Sequence, residues 1–459
     1  MEKIISDFKA FENDKDIFNK SVHNLKFWSY VRFSIFWSFY SDEYLDDQDS
    51  STFKLLGNYI FSSFRALFNF VMLSRNKYDF IFINTSRRTN MIDNNDVDIY
   101  TYPFIKALNK EYKILLLDVS KFENSDEYPC DFLPMRFANI FNRVFSFLFI
   151  FSKNEKNYIR DLGVSLNKVF QKDGNAPEII MREIARHKIE YTIYKMIFRL
   201  FSPKILFYTN NGVIGGVIQA ANELGIKTIE LQHGTISQTH IAYNSGKFEN
   251  NICPNYFFSF GEYWHDAIRF GSKKINIGFP YMSLIENSLS KNIIRESNTI
   301  LVISNGKFER SLFVKITKEL SYSSQKYKIY YKLNPSEYDD WKKNYPLSFQ
   351  TNPNLKIIDN NEKPLNYFYK KAKYLIGSGS TCIYEGVANG MVVFVINSRV
   401  SSDAKKLIDN NSLFVVSDTE EILSKIKNGE VPAGKIDKEH IFRRYSHSNI
   451  VENIQRILT

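Results

Sequence analysis

The stretch Lys204–Gln232 limits the fold of this chain more than any other. Two short apolar runs, KILFYT (Lys204–Thr209) and KTIELQ (Lys227–Gln232), flank a helical segment at Gly215–Leu224. Strands joined through a helix lie parallel, and such units build a doubly wound α/β sheet. The same alternation runs upstream, where YDFIFIN (Tyr78–Asn84) and KILLLD (Lys113–Asp118) read as strands. Between them lie a polar loop, SRRTNMIDNNDVD, and a helix through Phe104–Leu108. Helices are expected up to about residue 76, over 133–152 and over 177–200. Downstream, strands are expected at Tyr256–Phe260 and Lys274–Gly278, and Gly278-Phe279-Pro280 supplies turn residues. A second block follows, with strands at Thr299–Ser304, Tyr327–Lys332, Leu355–Asp359, Tyr374–Gly377, Val392–Ile396 and Leu413–Val416.

Two such blocks in 459 residues fit the size at which single cores stop growing, about 250–300 residues. We therefore expect two doubly wound domains, residues 1–280 with a helical N-terminal extension and residues 281–459, whose last helix near His440–Leu458 crosses back to the first. Cys130, Cys253 and Cys382 are odd in number and far apart, which suits neither a disulfide framework nor a zinc site and points to a reducing compartment, the cytoplasm. Met1–Asp16 is studded with charges where a signal peptide has an apolar core. The most apolar run, Val144–Phe151, is too short to span a bilayer. The net charge of +10, the 16% aromatic content and the aromatic-basic clusters at Phe27–Phe39, Phe53–Met72 and Phe132–Lys153 leave two explanations. They are helices packed on a core, or a surface resting on anionic lipid at the inner face of the membrane. Nucleic acid is not an expected partner, because the basic residues are scattered and form no binding motif.

Ligands of open parallel sheets bind beyond the carboxyl ends of the strands, which directs attention to the loops after Gln232, Lys332 and Gly377. In YLIGSGSTCIYEGVANGMVVFVI (Tyr374–Ile396), Ser378-Gly379-Ser380-Thr381 forms a small-residue turn before a helix starting near Cys382. Free N–H groups there, with the hydroxyls of Ser380 and Thr381, offer a phosphate site, and Glu385 one turn on can accept bonds from ribose hydroxyls. The plainer alternative is a serine cap with an ordinary helix glutamate. In IELQHGTISQTHIAYNSGKF (Ile229–Phe248), His233 sits at a strand end, and Gly234 allows close backbone approach or a positive φ. His233 is a candidate general base or cationic partner for a leaving phosphate, or else a packing residue. His240 and Tyr243 are candidate lid or acceptor contacts.

A strand, a Gly/Ser turn, S-T-x-x-x-E and A-x-G-M-x-V-x-V together resemble the nucleotide-binding half of GT-B glycosyltransferases. YYKLNPSEYDDW (Tyr330–Trp341) resembles the K-x-H-P segment of bacterial capsule, O-antigen and teichoic-acid transferases of that fold, and IELQHGTI resembles their HG loop. The resemblance covers Lys204–Ile396; the first two hundred residues match no family. It implies a GT-B-like α/β fold, with two Rossmann-type domains facing across a cleft. The first would bind the acceptor and the second a nucleotide-sugar, through Lys332, Asn334, Glu337, Ser378, Gly379, Ser380, Thr381 and Glu385. His233 and Gly234 would face the chemistry, with Arg87 or Arg88 reaching in from the first domain. Asn334 departs from the pattern, since asparagine cannot carry the proton or charge of the expected histidine. Asp47-Gln48-Asp49 and Asp96-Val97-Asp98 spell the D-x-D metal signature of the other large glycosyltransferase fold, against which the repeated α/β layout argues. No metal and no cofactor are expected, with diphosphate charge met by Lys332, the helix start and an arginine.

The expected activity is sugar transfer from a nucleotide-sugar to a growing surface polysaccharide or its lipid-linked precursor. A CDP-alcohol phosphotransferase of teichoic-acid type shares the motifs, and a sugar-nucleotide epimerase shares the fold without needing an aromatic-basic surface. A non-catalytic binding subunit of a polysaccharide assembly complex would account for Asn334.

Overall fold

The computed structural model describes residues 2–40, 69–85, 87–92, 95–119, 127–135, 149–209, 214–244, 252–289, 293–306, 309–398 and 401–459. Two open sheets organise them. The first is built from β1 (Phe80–Ile83), β4 (Ile114–Asp118), β5 (Asp131–Pro134), β6 (Ile205–Tyr208), β7 (Lys227–Leu231), β8 (Tyr256–Ser259) and β9 (Lys273–Asn276), in the order β5-β4-β1-β6-β7-β8-β9. The second runs β12-β11-β10-β13-β14-β15, from β10 (Glu296–Ile303), β11 (Lys328–Lys332), β12 (Leu355–Ile358), β13 (Ala372–Gly377), β14 (Val392–Ile396) and β15 (Phe414–Val416). Every pairing in both sheets is parallel. β1, β4, β6 and β14 are buried along their whole length, as parallel strands covered on both faces must be.

Strand order reverses beside β1, which pairs with β4 and β6, and beside β10, which pairs with β11 and β13. The crevices beyond the carboxyl ends at these two points are where an open α/β sheet receives ligand. One hydrophobic cluster joins the two sheets: Tyr100, Trp264 and Phe279 from the first half pack with Leu375, Tyr384 and Phe442 from the second. The final helix (His447–Leu458) places Ile450, Ile454 and Ile457 among Phe104, Ile105 and Leu108 of the helix Tyr102–Leu108, α3. The segment before it, through the short helix Lys438–Ile441, passes so close to Gly261 that a Cβ there would sit 2.3 Å from the His440 carbonyl oxygen.

Three expectations change, and for one cluster an open alternative is decided. The polar loop at 86–98 folds as an antiparallel hairpin, β2 (Arg88–Ile92) and β3 (Asn95–Asp98). The helix expected from residue 133 begins instead as strand β5; 136–148, with most of the run Val144–Phe151, lie outside the described residues. A capped helix, α4 (Lys153–Phe170), held by the reciprocal Ser152–Glu155 capping box, precedes α5 (Ala176–Phe201). The cluster Phe27–Phe39 is core: on α2 (Trp28–Tyr40), Trp28, Val31, Ile35, Phe36 and Phe39 are buried against α1 (Glu2–Asp14) and α4. Most of the other two aromatic-basic clusters, and Asp47 and Asp49, fall outside the described residues. No helix among the described residues is long and apolar enough to cross a membrane.

Candidate active site

The loop after β7 and the helix after β13 meet across the cleft. Thr235 Oγ1 and Thr381 Oγ1 are 3.2 Å apart, and a Cβ at Gly234 would lie 3.7 Å from Thr381 Oγ1. That is an ordinary van der Waals distance, and Gly234 is not among the positive-φ glycines of the described residues, so neither close approach nor a left-handed backbone requires glycine here. Gln232 is buried and fixes the turn from inside, its Nε2 donating to the Gly234 carbonyl at 2.9 Å and its Oε1 accepting from the Phe260 amide at 2.8 Å.

His233 follows directly. Its backbone carbonyl accepts the Tyr100 hydroxyl, and its ring meets the Tyr100 ring edge-on at 6.4 Å. Nδ1 is buried without a hydrogen-bond partner among the described residues. Desolvation pushes the imidazole pKa down to about 3, helped by His240, which burial lowers to about 4 and which is therefore charged only in acid, and by the positive charge of Arg87. The ring is neutral at pH 7, able to accept a proton and unable to serve as a standing cation.

On the facing side, the helix Thr381–Ala388, α9, starts at Ser380, whose side chain accepts the Cys382 amide at 3.2 Å. The cap takes the Cys382 amide and the Ser380 carbonyl takes the Ile383 amide at 3.1 Å, so the helix start presents the Thr381 amide and hydroxyl beside the partial positive charge of a helix N-terminus. Ser378 is buried behind the turn, and Ser380 N donates to its carbonyl at 3.1 Å, through Gly379. Glu385 lies one turn along. Desolvation pushes its carboxyl up to about 7, against the opposing pull of the Tyr369 hydroxyl and the Arg87 guanidinium. Tyr281, whose own pKa burial raises to about 12, also feels Glu385.

The two arginines part company. Arg87, in the loop after β1 at the first reversal of strand order, has Nη1 3.4 Å from the Tyr100 hydroxyl. Its pKa is raised chiefly by Tyr100 and further by Cys382 and Glu385 across the cleft. Arg88 points the other way, its Nε 3.0 Å from Asp96 Oδ2 and its Nη2 3.3 Å from Glu127 Oε2. Asp96 of the D-x-D is thus taken by Arg88. Asp98 is buried and accepts from the amides of Thr85, Tyr100 and Thr101 at 2.8, 2.9 and 2.7 Å, tying the β1 loop to the start of α3.

Four further expected site residues do other work. Lys332 is buried, and its ammonium has three acceptors: the Tyr338 hydroxyl, the Asn360 carbonyl at 2.7 Å and Asn361 Oδ1 at 3.2 Å. Three N–H groups are thereby used in ordering the loop after β12, and burial lowers its pKa to about 8. Glu337 is also buried, accepting from Ser304 Oγ at 2.6 Å, Tyr345 at 2.8 Å, the Asn334 amide at 3.1 Å and Arg310 Nε at 3.2 Å. Asn334 caps the 3-10 turn Pro335–Glu337, its Oδ1 accepting the Ser336 amide at 3.1 Å. Tyr243 is core, its hydroxyl 2.6 Å from Glu230 Oε1, and offers nothing to an acceptor. His240 stays near the cleft, close enough to His233 to depress its pKa, while its ring lies parallel to Phe33 at 5.9 Å.

Tyr100, Thr235, Tyr281 and Tyr369 were missed as cleft residues. Only Thr235 had a signal, its adjacency to the HG pair; the tyrosines arrive from distant elements and stand in no motif.

Comparison with known proteins bears on the fold. No protein-family model matches the chain. It is 25% identical over 237 residues to the UDP-N-acetylglucosamine--N-acetylmuramyl-(pentapeptide) pyrophosphoryl-undecaprenol N-acetylglucosamine transferases of two strains of Lactococcus lactis subsp. cremoris. The match takes in 49% of this chain and spans 63% of the length of those relatives. The fold is similar to that of the Methanocaldococcus jannaschii UDP-GlcNAc 2-epimerase solved in complex with UDP-GlcNAc and UDP, at TM-score 0.50 and 11% identity over 82% of this chain and 99% of that one. The chain has the GT-B type of fold, two parallel-sheet α/β domains about a cleft.

Proposed function

We propose that this protein transfers a sugar from a nucleotide-sugar, with a uridine diphosphate donor as the first candidate, to a saccharide or lipid-linked saccharide of a bacterial surface polymer. The observation that carries the reading is the meeting of the His233 loop with the capped start of α9, Thr235 against Thr381 at 3.2 Å. A neutral imidazole from one domain then faces an anion-binding helix start from the other. The relatives matched over half the chain are N-acetylglucosamine transferases, which favours sugar transfer over the CDP-alcohol alternative.

In this scheme the first turn of α9 and the Thr381 hydroxyl hold the diphosphate, Glu385 accepts from ribose hydroxyls, and Arg87 meets charge that develops on the leaving phosphate. The reading needs no metal and no cofactor besides the donor. His233 takes the acceptor proton. An imidazole with its pKa near 3 is a weak base, but a diphosphate beside it offsets the positive field of Arg87 and raises its basicity as the donor binds. Capping by Asn334 is a task asparagine performs well, which favours a structural role at that position over lost catalysis. The burial of α2 removes one ground for lipid contact, and attachment to the inner membrane surface rests on the lipid-linked acceptor and on the two remaining aromatic-basic clusters.

Replacing His233 with alanine tests the assignment. Turnover should fall about 10²–10⁴-fold while UDP affinity stays within about twofold. A folded His233→Ala protein with parental turnover would remove the histidine from the chemistry.

A further inference from the structure

The helices preceding the first sheet are joined to the His233 loop by a buried polar clamp. Arg32 on α2 and Glu12 on α1 are both buried and pair through two contacts, Nε to Oε1 at 2.7 Å and Nη2 to Oε2 at 2.9 Å. Trp28 Nε1 donates to the same Glu12 Oε1 at 2.7 Å. The remaining guanidinium nitrogen, Nη1, donates to the backbone carbonyl of Ile241. One residue along α2, Phe33 lies parallel to the His240 ring at 5.9 Å with an interplanar angle of 5°. Ile241 itself belongs to the cluster formed by α1, α2 and α4.

The loop needs such support. Residues 233–244 form no helix or strand, only turns closed by His240 N to the Ser237 carbonyl and Tyr243 N to the His240 carbonyl, both at 3.0 Å. Its first residues are held by Gln232, Tyr100 and Thr381, and its end by Tyr243 on Glu230 in the sheet beneath, by Arg269 N on the Tyr243 carbonyl at 2.9 Å and by Ser237 on Asp403 of the facing domain at 3.0 Å. The clamp is the anchor that reaches residues 240–241, and the His240 ring it sets is coupled to His233 where both titrate, in acid.

The geometry points to Arg32 as a positioning residue: the Glu12–Arg32 clamp fixes residues 240–241 and through them the setting of His233, so the N-terminal helices are a working part of the cleft. This rests on the reading of His233 given above. A lysine cannot replace Arg32, because one point charge cannot engage both Glu12 oxygens and the Ile241 carbonyl at fixed angles.

Histidine side-chain nitrogen NMR on the full chain tests it. The sequence holds seven histidines, and signals are assigned with single His→Gln substitutions. The charged and titratable groups facing His233 are Arg87, Tyr100 and His240, none of which the test alters. In Glu12→Gln/Arg32→Met, which removes both charges and leaves none buried alone, the titrations of His240 and His233 should move toward the ordinary range by about one pH unit or more. Hydrolysis of UDP-GlcNAc should slow by about tenfold or more, with UDP binding within about twofold of the parent, and Arg32→Lys should not restore it. Phe33→Leu, a milder change, should move the His240 titration without unfolding risk from a buried charge. Unmoved titrations in a folded double variant, or in Phe33→Leu should the double variant not fold, would overturn the clamp. The titrations need no turnover, so they judge the clamp even where His233→Ala refutes the catalytic reading, and a failed clamp leaves that reading intact.

Discussion

Glu385 carries the clearest pH signature in the cleft. Its carboxyl titrates near 7 because desolvation outweighs the help of Tyr369 and Arg87. A carboxylate that accepts bonds from ribose hydroxyls must be ionised, so the ionised form is the binding form. Raising the pH from 6 to 8 should therefore tighten nucleotide binding about tenfold in the parent, and Glu385→Gln should bind with a profile flatter by that factor, read by calorimetry at each pH. Parallel profiles for the two proteins would place the ribose elsewhere. The sequence made His233, Thr381 and Glu385 readable, because each stands in a short motif at a strand end. It did not reveal Tyr100, Tyr281 or Tyr369, which reach His233 or Glu385 from elements distant in sequence, Tyr281 from across the two halves.

At the scale of elements, the K-x-N-P segment shows how far a motif can mislead. Lys332, Asn334 and Glu337 follow β11 in the expected order, yet all three side chains fold back on their own domain. The reason is local: the Lys332 ammonium is taken by the loop after β12, while Asn334 and Glu337 close the turn that follows β11. Asn334→His should therefore cost about 0.5–2 kcal/mol through loss of the cap, measured by chemical denaturation, with no gain in turnover. A rise in turnover would return this position to the active site. The central strands were legible almost to the residue because parallel strands buried on both faces appear as unbroken apolar runs, whereas the half-buried edge strand β5 was read as the start of a helix. The hairpin at β2 and β3 was hidden by its polar sequence, whose Asp96 and Asp98 are there to pair with Arg88 and to hold the amides of residues 85, 100 and 101.

Over the whole molecule, the two sheets are held about one cleft by shared core and by a strap. Trp264 Nε1 donates to the Ile441 carbonyl at 2.9 Å, Arg443 N to the Phe260 carbonyl at 2.7 Å, and Lys406 pairs with Asp266 at 3.1 Å. Gly261 makes the strap possible, since a Cβ there would lie 2.3 and 2.4 Å from two carbonyl oxygens. Gly261→Ala should lower stability by about 1–3 kcal/mol and reduce turnover by loosening the approach of the two domains, whereas unchanged denaturation would show that the strap can shift freely. The central claim, that the start of α9 holds the diphosphate of a nucleotide donor, is met most directly by calorimetric titration of UDP into the parent and into the Ser380→Ala/Thr381→Ala double variant. The account predicts binding to the parent and a loss of roughly 1–3 kcal/mol in the folded variant, from the missing cap and hydroxyl. Equal UDP affinity in both proteins would contradict it.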